Sequence, residues 1–216
     1  MGLAEVQQVL AQLYTNTLLR ERFFANPQEL GEELGLSYDE AQQLAQLSPQ
    51  QVNLFASSLK RKRSSQVREL LPLTQQVLGK EFSKLFWRYA ETYYPQGIKK
   101  HWEDAIAFCT FIEKVAQVEG ITPPWIWELV RYEKACLQAA EPTCRLIWCR
   151  FRYALKPLLQ SLAQQKGTPV LLRQHTMALW FRPRQGRMRH IVLSLPHPLT
   201  VCPGCILLGK GEEFAN

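Results

Sequence analysis

The chain has 216 residues, 46% of them hydrophobic, with ten Phe, seven Tyr and six Trp, which is enough apolar material for a real core and argues against disorder over most of the length. No apolar run reaches the roughly 18–20 residues of a membrane-spanning helix. The start, Met1-Gly2-Leu3-Ala4-Glu5, lacks a basic stretch followed by an apolar one, so no signal peptide is expected and a cytoplasmic protein is the expectation.

The net charge of +7 is uneven: residues 1–143 hold 15 Lys+Arg and 17 Asp+Glu, whereas residues 144–216 hold 11 and 2. A basic last third beside a near-neutral front points to an anionic partner, either nucleic acid or an acidic protein surface; the plain alternative is a soluble surface that happens to be basic. In a cytoplasmic chain the six Cys read as free thiols rather than disulfides.

In chain order, Leu3, Val6, Leu10 and Leu13 share one face of a first helix over 3–15, and a short second helix follows over 18–24. Three helix starts come next. Asn26-Pro27-Gln28-Glu29, Ser37-Tyr38-Asp39-Glu40 and Ser48-Pro49-Gln50-Gln51 each place a capping residue ahead of Pro or an acid in the first turn. Residues 1–63 are therefore expected to form an N-terminal cluster of short helices. The run Lys60-Arg61-Lys62-Arg63 closes it, read as a solvated helix end or as phosphate contacts.

Residues 64–143 are expected to form a central helical bundle. Pro72 kinks or starts a helix and Gly79 breaks one. Phe82, Leu85, Phe86, Tyr89 and Tyr93 share a face; so do Trp102, Ala105, Ile106, Cys109 and Ile112, and then Ile126, Leu129, Val130, Leu137 and Ala140. Turns are expected at Pro95-Gln96-Gly97 and over 120–124. Glu133 falls on an apolar side and needs a partner, expected to be a cation in a structural salt bridge. The acid pairs Glu32-Glu33, Asp39-Glu40 and Glu103-Asp104 read as solvated faces and first-turn charges.

After Pro142 the period changes to two. Ile147, Cys149, Phe151 and Tyr153 alternate with Trp148, Arg150 and Arg152, a strand with one oily and one basic face. A helix over 154–166 and a hairpin around Pro183-Arg184-Gln185-Gly186 follow. Residues 144–216 thus form a basic α+β region, and the whole is an α+β fold: mostly helical, with a small C-terminal antiparallel sheet.

Arg145, Arg150, Arg152, Arg182, Arg184, Arg187 and Arg189 are the candidate partner-binding residues, with Trp148 and Trp180 for stacking. Cys202-Pro203-Gly204-Cys205 is the sharpest local motif. Two thiols at this spacing, with His197 or His190, could take part in a zinc site; the alternatives are a redox dithiol or a plain turn. Cys109, Cys136, Cys144 and Cys149 read as small core residues. The sequence has no Gly-rich phosphate loop, no Gly-x-Ser-x-Gly elbow and no His-Glu-x-x-His, and a non-enzymatic role is expected.

Several of these marks carry a resemblance. Pro72, Leu78-Gly79-Lys80-Glu81-Phe82, Tyr94-Pro95, Phe108 to Phe111 and Val130-Arg131-Tyr132-Glu133 resemble the pattern of a putative DNA-binding domain family. That domain also occurs in the partner proteins of the multinuclear iron oxidases of methanobactin synthesis. The strand over 145–153 and the hairpin at Leu179-Trp180-Phe181-Arg182 look similar too, so the likeness spans about 70–195. Residues 9–47 resemble, more faintly, the helical small subunit of protocatechuate ring-opening dioxygenases, a non-catalytic element that packs on the metal-bearing subunit. The resemblance implies a helical domain with a strand and hairpin. The charge split, the arginine-bearing strands and the missing catalytic motifs make the function expected an adaptor or regulator that binds an acidic protein or peptide through a basic β-surface. The alternatives are a DNA-associated regulator using the same arginines, and a metal-binding or redox assembly factor using Cys202 and Cys205.

Overall fold

The computed structural model describes residues 3–95, 100–164, 171, 173–184 and 186–194, together with the backbone of 206–208. Its described elements are ten helices and four strands, an α+β fold in which helix dominates. They fall into two compact units, Met1–Gln66 with Lys84–Gln96, and Val67–Ser83 with Gly97–Asn216. The division differs from the three sequence regions because α5 (Pro49–Leu70) does not stop at Arg63. Lys60 to Ser65 lie inside this 22-residue helix, since Ser is tolerated in a helix whose other positions are good formers.

The first unit holds α1 (Leu3–Thr15), α2 (Thr17–Ala25), α3 (Pro27–Glu33), α4 (Tyr38–Ala45), most of α5 and the later part of α7 (Lys80–Ala90). Val9, Leu13, Phe23, Leu30, Leu36, Ala41 and Leu44 form its core. Ser37 builds the full capping box with Glu40. Asn26 does not cap α3 with its side chain; its amide turns to Glu29 instead. Asn16 is the cap of α2, accepting from Leu19 N at 3.0 Å. Gly31 admits α4 closely, because a Cβ there would lie 2.6 Å from Ala41 Cβ.

The basic run of α5 divides by face. Lys60 is buried and pairs with Glu91 beneath the Trp87 ring. The Arg63 guanidinium lies over Phe86, Tyr89 and Tyr94. Arg61 and Lys62 are exposed. Two of the four cations thus serve the fold, through ion pairing and cation–π contact.

The second unit is built around α9 (Ile126–Ala140), which buries residues on nearly every side. It packs on α6 (Pro72–Leu78), on α8 (Lys100–Val118) and on the sheet. Gly79, at φ 52°, takes the left-handed turn between α6 and α7 that the sequence break implied. Asp104 on α8 is fully buried, not on the solvated face expected of it. After α9 come β1 (Leu146–Tyr153), α10 (Leu155–Ala163), β2 (Arg173–Phe181), β3 (Arg189–Ser194) and β4 (Ile206–Leu208). The strands form one antiparallel sheet in the order β3-β2-β1-β4.

Glu133 is satisfied, but not by a cation. Its carboxylate accepts from Leu73 N at 2.9 Å and Thr74 N at 2.7 Å, the free amides of the first turn of α6. A helix start with no side-chain cap of its own is thereby capped from another helix.

Candidate functional site

The sheet has two different faces, fixed by register and by the period of two. On the inner face Ile147, Trp180 and His190 form one cross-strand row, Cys149, Ala178 and Val192 the next, and Phe151, Thr176 and Ser194 a third. Tyr132 of α9 meets this face, with ring contacts to Phe151, Trp180 and His190. On the outer face the rows are Leu146–Phe181–Arg189, Trp148–Leu179–Ile191 and Arg150–Met177–Leu193. Ile191 is 42% exposed and Leu193 44%; Trp148, Met177, Leu179 and Phe181 are half-buried.

The outer face is therefore apolar in the middle and basic at its two ends. Arg145, Arg184, Arg187 and Arg189 gather at the hairpin end, and all four are exposed. Arg150 and Arg152 lie toward the other end, where Arg173 joins them across the strand pair. The ends are about 20 Å apart along β1 at ~3.3 Å per residue. The arginines do not make one continuous patch.

Two of the expected binding residues have other work. Trp180 is buried and stacks on His190 with ring centroids 4.7 Å apart. It faces away from Trp148, because Trp148 pairs with Leu179. Arg182 turns inward: its guanidinium donates to Cys144 O at 3.2 Å, Ala139 O at 3.2 Å and Glu141 O at 3.3 Å. These are carbonyls at and after the end of α9, the place where a cation suits the helix best.

A buried carboxylate shapes the basic end opposite the hairpin. Glu128, 1% exposed, accepts from Arg152 N at 2.8 Å and Tyr153 N at 3.2 Å. The pairing of β1 with β2 shifts between Phe151 and Tyr153. Across this shift β2 has one residue more than β1, a bulge that interrupts the ladder, and Glu128 supplies an acceptor to the two β1 amides. The strand period had no means of locating this bulge. Beside it, Pro124, Trp127, Arg152, Tyr153, Arg173 and His175 line a pocket of about 250 Å³. Among the described residues the Nδ1 of His175 finds no hydrogen-bond partner and is itself buried. Arg131 lies over the Trp127 and Phe151 rings at 5.1 and 5.5 Å, and burial lowers its pKa.

Burial raises both Glu128 and Glu133 above the usual carboxylate range, against the pull of their backbone donors. Burial also holds the Cys109 and Cys144 thiols up and pushes Cys136 to about 11, which makes them poor nucleophiles. Cys109, Cys136 and Cys144 are free, as expected. Cys149 is not: it is disulfide-bonded. Among the described residues no cluster of three His, Cys, Asp or Glu could hold a metal ion. Cys202, Cys205 and His197 lie outside the described residues, and His190, on β3, stacks on Trp180. No described helix is long and apolar enough to cross a membrane.

The architecture defines an α+β chain whose second unit presents a sheet with one apolar, arginine-ended face. No protein-family model, no curated protein and no solved structure matches the chain.

Proposed function

We propose that this chain is a non-enzymatic adaptor or regulator whose outer sheet face receives an amphipathic, acidic segment of a protein partner. The observation that carries the reading is the order of side chains across the face: Arg150 and Arg152 at one end, Trp148, Leu179 and Ile191 in the middle, Arg189 at the other. A ligand complementary to it has apolar residues at its centre and carboxylates at its ends. Duplex DNA is a poorer match, because its phosphates repeat every few ångströms and would lie over the apolar middle row. Kinship with the putative DNA-binding domain family belongs to the same proposal. Its support is that Pro72 opens α6, Gly79 ends it, and a strand and hairpin follow α9.

Fluorescence anisotropy with a labelled acidic peptide, apolar at alternate positions, and with a labelled random duplex tests the choice. The peptide is expected to bind, to lose its affinity to Ile191→Glu, and to show a shallow salt dependence. Tight duplex binding that falls steeply with salt and ignores Ile191→Glu would instead assign the arginines to nucleic acid. A cytoplasmic setting is part of the proposal, and the Cys149 disulfide is the feature that stands against it. Thiol counting on freshly lysed cells decides: six free thiols fit the cytoplasm, four fit an oxidising compartment.

A further inference from the structure

We propose that the pocket between the start of α9, the end of β1 and the first residues of β2 binds an aryl phosphate monoester. The donors come from two strands. Arg152 stands on β1, and Arg173 and His175 on β2. A planar carboxylate is satisfied by a single guanidinium fork. Two guanidiniums and an imidazole on separate backbones suit a tetrahedral dianion, which accepts from several directions and carries nearly two charges at neutral pH. His175 lines the same pocket from β2, and its ring can donate to a phosphate oxygen.

The rest of the lining selects what the phosphate is attached to. Trp127, Tyr153 and Pro124 give flat, apolar contact, and Arg131 lies over the Trp127 ring. At about 250 Å³ the pocket is smaller than sites for drug-sized ligands. It fits one ring with its phosphate, as a free molecule or as the side chain of a phosphotyrosine. Glu128 holds the Arg152 and Tyr153 amides, so Arg152 is presented on an anchored strand end. This site shares Arg152 with the docking surface proposed above but not its apolar middle row, so the His175 ring signal reports the pocket and the loss of peptide binding in Ile191→Glu reports the surface: either can fail while the other holds.

Calorimetric titration of the full chain with phenyl phosphate is the test, with inorganic phosphate and benzoate as comparisons. Phenyl phosphate is expected to bind about tenfold more tightly than either. Arg152→Met and Arg173→Met should each weaken it about tenfold or more at unchanged circular dichroism, while Arg61→Met, at an exposed position of α5, leaves it unaltered. Ring NMR signals of the wild type give a second readout that needs no variant: His175 should shift on titration and His190 should not. A phosphotyrosine peptide binding more tightly than phenyl phosphate identifies a phosphorylated protein as the source; equal affinity identifies a small molecule. No saturable binding, an unmoved His175, or binding indifferent to Arg173→Met overturns the proposal. So does preferential binding of random duplex DNA lost in the same two variants.

Discussion

Glu128 and Glu133 stand five residues apart on α9 and do the same work in different places. Each is a buried acid whose partners are backbone amides, at the end of β1 for Glu128 and at the first turn of α6 for Glu133. Glu128→Ala leaves two amides unpaired and a gap behind them, and should cost about 2–4 kcal/mol in urea unfolding. The pH dependence has a definite sign. A carboxyl whose folded pKa is raised binds its proton more readily when folded, so its contribution is fully present below the unfolded value of 4.5 and is lost as pH rises through the folded value. The stability lost in Glu133→Gln should therefore be largest near pH 4 and shrink toward pH 7. Denaturant midpoints across that range check it, and a loss that grows with pH contradicts it. Helical periodicity placed Glu133 on an apolar face and so announced that it needed a partner. It could not name amides some 60 residues away, because only the folded chain brings α6 to α9.

Among the elements, the sheet shows most clearly what alternation can and cannot tell. The oily and basic faces of β1 are legible from residues 147–153 alone, and the hairpin from its turn residues. The register between strands is not, because Met177 to Phe181 is apolar at every position and offers no polar face to orient it. Pairing Trp148 with Leu179 sends Trp180 to the core, and the aromatic pair suggested by sequence is divided between faces. Arg182 follows the same logic: just past β2, it turns back onto the end of α9. Arg182→Ala should cost about 1–2 kcal/mol by loss of charged hydrogen bonds to backbone carbonyls. Arg184→Ala, at an exposed position two residues on, should change stability by less than about 0.5 kcal/mol. Equal costs for the two would refute the capping role of Arg182. The α5 boundary was hidden for another reason: a basic cluster ending in two serines looks like a terminus, yet Lys60 is held by Glu91 and Arg63 lies over three aromatic rings, partners distant in the chain.

At the scale of the molecule, the charge split of the sequence survives in a changed form. The basic last third does reach a sheet face, but as two groups separated by an apolar centre rather than as a continuous positive surface. That arrangement favours a protein ligand over a polyanion of even charge. Ionic strength should therefore slow association more than it weakens the complex, since charges outside the apolar centre mainly steer encounter. Stopped-flow rates at two salt concentrations test this. The most direct measurement of the central claim is selection from a random peptide display library on the full chain, followed by counter-selection on Ile191→Glu. The account predicts enriched sequences with apolar residues in the middle and Asp or Glu toward both ends, lost on the variant. Enriched peptides without acidic ends, or peptides that bind Ile191→Glu equally well, would contradict it.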